Sequence, residues 1–138
     1  MKVVAAAAVV ALALGIPASA SGKFKIWLSL SQQEPRSRVA VRATIRTDTP
    51  QRADCRMRLL AVAPGVDVYE ALDAFVLSHR TRPAALLGFL VPIARIGPKA
   101  WRATLRFPRA GRWRLVVPNW CAGGYALPPP IVRLVVVR

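Results

Sequence analysis

Period two dominates the chain beyond its first twenty residues. Lys23-Phe24-Lys25-Ile26-Trp27-Leu28-Ser29-Leu30 sets Phe24, Ile26, Leu28 and Leu30 on one side. Residues 38–46 place Val39, Val41, Ala43 and Ile45 inward and Arg38, Arg42 and Arg46 outward. Cys55, Met57 and Leu59 alternate with Arg56, Arg58 and Leu60. Trp101, Ala103, Leu105 and Phe107 alternate with Arg102, Thr104 and Arg106. Trp113, Leu115 and Val117 alternate with Arg112, Arg114 and Val116, and the Val-rich run Ile131 to Arg138 closes the series. Side chains on an extended strand point to opposite faces in turn, so this pattern predicts half-buried antiparallel strands with one wet face.

Breakers separate the runs: Thr49-Pro50, Gly97-Pro98, Ala110-Gly111 and Gly123-Gly124. Ala85 to Ile96 is apolar but interrupted by Pro92. Proline lacks a ladder donor, which predicts an edge strand or a bulged one there. One segment leaves the β pattern. Asp67-Val68-Tyr69-Glu70 matches a capping box, and Val68, Leu72, Phe75 and Val76 follow at helical spacing. A short helix is expected from Val68 to about Ser78, then a basic exit loop.

The fold class that follows is all-β: an immunoglobulin-like antiparallel β-sandwich of about seven strands with one short inserted helix near residues 68–78. The strands fall near 23–30, 38–47, 55–63, 86–95, 99–107, 112–118 and 131–138. The third and sixth should be antiparallel neighbours in one sheet, and the second and fifth should share the other. That pairing brings Cys55, at the start of the third, to the same end as Cys121, which follows the sixth. Antibody domains place their disulfide differently, between the sheets.

The first twenty residues read as an address. Lys2 is followed by an Ala/Val/Leu run from Val3 to Leu14, and Ala18-Ser19-Ala20 is a small-x-small cleavage site. This predicts a secretory signal peptide, residues 1–20, and a single exported domain, residues 21–138. The apolar run is short for a bilayer span, and no transmembrane helix is expected after cleavage. The expected location is therefore secreted, periplasmic or envelope-associated. In such a compartment two cysteines read as a disulfide, Cys55 to Cys121. Closing so long a loop stabilises by about 4 kcal/mol in the chain-entropy model.

The stretch GPKAWRATLRFPRAGRWRLVVPNWC, residues 97–121, resembles the late strands of small secreted bacterial immunoglobulin-like domains of the YtkA-like family. Gly111 and Trp113 match the Gly-x-Trp/Tyr opening of a strand in that family. The likeness implies a packing role and transfers no catalytic residue. Some related envelope domains bind copper through His and Met. This chain has His79, Met57 and the initiator Met1 alone for that purpose, so no ligand is carried over.

Candidate chemistry is sparse. Two cysteines and one histidine do not make a zinc site. His79 lacks a positioned partner, and Glu70 with Asp73 fit the negative charge favoured near a helix N-terminus better than an acid pair. No enzyme activity, cofactor or metal is expected. Charge is the larger signal: 21 basic residues stand against six acidic ones, for a formal net charge of +15. Arg38, Arg42, Arg46, Arg56, Arg58, Arg102, Arg106, Arg112 and Arg114 should point outward on both faces. Such a surface attracts anionic polymers and lipid headgroups. Arg102, Arg106, Arg112 and Arg114 are the candidate polyanion contacts. Specific nucleic-acid readout is disfavoured, because Trp27 alone offers an outward aromatic for stacking. The loop from Asn119 to Pro130, with Asn119, Trp120 and Tyr125, is a second candidate binding element for an envelope or extracellular protein. The chain is expected to be monomeric and to act by surface contact.

Overall fold

The computed structural model describes residues 25–79, 82–118 and 130–138. Eight strands and two helices occur among them: β1 (Ile26–Leu30), β2 (Val41–Thr47), β3 (Leu60–Val62), α1 (Val68–Val76), α2 (Ala84–Leu87), β4 (Gly88–Leu90), β5 (Ile93–Gly97), β6 (Ala100–Leu105), β7 (Gly111–Val117) and β8 (Ile131–Val137). The first sheet runs β1-β2-β6-β5 and the second β4-β3-β7-β8, with every pairing antiparallel. That order is the immunoglobulin-like sandwich. The inner faces share one core, in which Ile45, Trp101 and Leu105 of the first sheet join Leu59, Trp113 and Leu115 of the second.

The expected pairing of the third and sixth runs is present: β3 lies beside β7, with Leu60 opposite Val116 and Val62 opposite Arg114. β2 lies beside β6 in the other sheet. The strand count is eight because the run around Pro92 is two strands. β4 pairs with β3, β5 pairs with β6, and Val91-Pro92 carries the chain from one sheet to the other. Both pieces are edge strands, where a missing N–H donor does least harm.

Two strands start later than their alternation predicts. Arg38 has φ 65°, and its N–H donates to Phe107 O (2.7 Å). It therefore belongs to a turn, Val39 faces solvent, and β2 begins at Val41. β3 is only three residues long, and Leu60, expected outward, is fully buried. The reason is the helix. Leu60 and Val62 lie on the outer face of the second sheet, and α1 packs against β3 and β4 there. The small side chains of Ala71 and Ala74, both buried, let the helix sit close to the strands.

α1 starts where the capping box places it: Asp67 accepts from the Glu70 N–H (3.1 Å). It ends two residues early. Leu77 is the C-cap and Ser78 takes φ 60°, which turns the chain out of the helix. The Glu70 carboxylate is gripped by both ends of the Arg82 guanidinium (2.9 and 2.7 Å). That hydrogen bond, foremost, raises the Arg82 pKa above its ordinary value.

The second sheet carries an aromatic knot. Trp113 packs at 5.7 Å from Phe89 and 5.5 Å from Phe107, ring centre to ring centre, in tilted and edge-on geometry. Its Nε1–H donates to Arg109 O (2.9 Å), so the one polar atom of the ring is satisfied. Gly111 opens β7 with φ 139°, where a Cβ would meet Pro64 Cγ at 2.7 Å. The Gly-x-Trp pair thus places a close approach beside the largest core side chain.

Candidate functional site

The nine arginines expected to face outward do so. Eight are exposed and Arg114 is half-buried. The structure also sorts them. In an antiparallel pair, residues directly opposite share a face, so register assigns each side chain to a surface. Arg42, Arg46 and Arg102 lie on the outer face of the first sheet, and alternation along residues 101–107 carries Arg106 onto the same face. Arg112 and Arg114 lie on the outer face of the second sheet, opposite Val136 and Leu134. The quartet Arg102, Arg106, Arg112 and Arg114 is therefore not one surface. It divides between the two sides of the sandwich, because β6 and β7 belong to different sheets.

The two surfaces differ in character. On the second sheet, α1 covers the outer face of β3, and the rest mixes Arg112 and Arg114 with exposed Val132, Leu134 and Val136. A shallow groove there is lined by Asp67, Tyr69, Arg114 and Val132. On the first sheet the outward positions of β1, β2, β5 and β6 are Trp27, Ser29, Arg42, Thr44, Arg46, Ala94, Ile96, Ala100, Arg102 and Thr104. No acid stands among them. Asp48, just past β2, accepts from the Lys25 backbone N–H (3.0 Å). Trp27 is 52% exposed, on the outer face as its alternation predicts.

Three ion pairs occur among the described residues: Arg52 with Asp54, Arg82 with Glu70 and Arg138 with Glu34. None uses an arginine from either sheet face. Arg106 makes only a long contact to Arg38 O (3.4 Å).

Sequence reading missed two arginines of another kind. Arg133 on edge strand β8 has inward parity, and its guanidinium donates to Leu28 O of β1 (3.0 Å), across the open side of the sandwich. Arg95 on edge strand β5 also has inward parity, stacks 5.1 Å from the Trp101 ring centre and donates to the carbonyls of Gln51 and Arg52 (2.6 Å each). An inward-pointing charge on an edge strand discourages further strand addition. Both interrupt apolar runs, Ile93 to Ile96 and Ile131 to Val137, which is the sequence signal that separates them from the outward set.

The remaining candidates are quickly placed. His79 is exposed, and its backbone N–H bonds Asp73 O (2.8 Å). Cys55 is half-buried beside Met57, Ile93 and Trp101, and among the described residues no cysteine is a free thiol. Cys121, Asn119, Trp120, Tyr125, Phe24 and the expected signal segment 1–20 lie outside the described residues. Among the described residues no cluster of His, Cys, Asp and Glu suits a metal ion, and no helix is long and apolar enough to cross a membrane. A scan against protein-family models matched no family, and a search of the curated proteins matched none.

Proposed function

We propose that this chain is an exported, non-catalytic β-sandwich that works by binding anionic polymer through its arginine-bearing surface. The observation that carries the reading is the set of exposed arginines on rigid strands with no carboxylate partner in any of the three ion pairs. Cations left unpaired on a fixed scaffold are available to a ligand, and repel one another until one arrives. In an exported protein that ligand is an envelope or extracellular polymer.

Export rests on residues 1–20, read as a cleaved signal peptide, and on the pairing of Cys55 with Cys121. Cys55, the cysteine among the described residues, is not a free thiol, which supports that disulfide. The resemblance of residues 97–121 to YtkA-like secreted domains agrees with this location, and the mature chain acts as a monomer.

The test has two parts. Mass spectrometry of the secreted form should give an N-terminus at Ser21. The mature protein should bind immobilised heparin at low salt, with log affinity falling linearly against log salt. Absence of retention at low ionic strength overturns the binding reading.

A further inference from the structure

The register of β2 against β6 arranges the arginines of the first sheet in single file. Arg46 stands opposite Ala100, Arg102 opposite Thr44 and Arg42 opposite Thr104. Each of these three rows thus holds one arginine, supplied alternately by β2 and β6, with a small uncharged neighbour across the strand pair. Arg106, two residues past Thr104, follows on the same face by alternation. Rows on one face are two residues apart, about 7 Å, and the strands are about 4.8 Å apart. Four guanidinium groups therefore follow a zigzag line of roughly 20 Å.

We propose that this line is a docking track for an extended phosphate polymer, a deepening that rests on the polyanion reading above. A file of cations fits a chain; a planar membrane asks for a spread of cations over the face, yet the outward positions of β1 and β5 hold no arginine or lysine. Guanidinium forks match paired phosphate oxygens. Thr44 and Thr104 stand on the rungs of Arg102 and Arg42, so a hydroxyl donor sits beside each of those forks. A tetrahedral phosphate has oxygens out of a single plane for both donors. A nucleic acid would need an aromatic for its bases along the track, and Trp27, beside Arg46 on β1, is at one end. The second sheet offers no equivalent line, since α1 packs against β3 and β4 there.

The test compares two variants of equal charge loss. R42Q/R46Q/R102Q removes the track; R56Q/R58Q/R112Q removes three exposed arginines off it, Arg56 and Arg58 on the segment beside Ile93 and Arg95 of β5 and Arg112 on the second sheet. Binding of the full mature protein to long-chain inorganic polyphosphate is followed by fluorescence across a salt series. The track variant should lose at least ten-fold in affinity, and its log–log salt slope should fall by about 2. The control variant should lose less than three-fold, and tripolyphosphate should bind far more weakly than the long chain. The single variant R102Q, with a smaller loss of the same sign, serves if the triple variant does not fold. Equal losses in the two triple variants overturn the track while leaving the polyanion reading intact. So does tighter, track-dependent binding to single-stranded oligonucleotide, heparin or phosphatidylglycerol vesicles. Failure of the unaltered protein to bind any polyanion overturns both.

Discussion

Replacing Gly88 by alanine isolates the step at which the chain changes sheets. Gly88 has φ 144°, and a Cβ there would collide with the backbone oxygen of Ala61. Cβ contacts under 3.0 Å are essentially never seen, so the β3–β4 backbones must part by about 1 Å. The obstacle is main chain in a strand buried on both faces, so no side chain can swing away. Parting of that size breaks the short ladder in which Gly88, Phe89 and Leu90 face Val62, Ala61 and Leu60. It also strains the flanking bonds from Ala63 N to Leu87 O and from Val91 N to Leu59 O (2.9 and 2.8 Å). The unfavourable backbone conformation alone costs about 1–3 kcal/mol. With the lost pairing, the total is about 3–5 kcal/mol, from a stability of roughly 5–15. At about 4 °C per kcal/mol, Tm should fall by about 12–20 °C. Gly97→Ala is the control, because a Cβ there meets nothing within 4 Å. Thermal unfolding followed by circular dichroism reads both. A Gly88→Ala protein that melts with the Gly97→Ala protein refutes the close approach and the sheet switch built on it.

Three further outcomes are expected. Trp113→Ala should destabilise by about 3–5 kcal/mol in urea titration, and Trp113→Phe by about 1–2, since the smaller ring keeps most of the packing and loses the bond to Arg109 O. Arg133→Met should keep the stem and lose the Leu28 bond, lowering stability by about 1–2 kcal/mol; light scattering should detect association through the unguarded β8 edge. Reduction of the proposed Cys55–Cys121 pair, or the double Ala variant, should lower Tm clearly under the same scan, and an unchanged Tm would mean that the pair does not form.

Strand alternation carried most of the fold in the sequence because its cause is local: a half-buried strand repeats every two residues. Residues 101–107 follow it without exception, and residues 112–117 do except at Val116, which is fully buried on the outer face opposite Leu60. It failed where burial has a distant cause. Leu60 looks outward along its own strand and is buried by a helix that arrives later in the chain. Pro92 marked an edge, and the change of sheet there depends on which partners β4 and β5 meet. The surface was legible one strand at a time. Which arginines stand together depends on register across strands, so Arg102 and Arg112 look alike in sequence and lie on opposite sides. Arg95 and Arg133 were missed because a charge at an inward position breaks the pattern, and an open sandwich edge is the one place where that is favourable.

The most direct measurement is a ¹H–¹⁵N spectrum of the arginine Nε–Hε groups during titration with long-chain polyphosphate at low salt. The account predicts that Arg42, Arg46, Arg102 and Arg106 shift together and saturate together, while Arg56, Arg58 and Arg112 stay close to their starting positions. Shifts spread evenly over both faces, or confined to the second sheet, would contradict it.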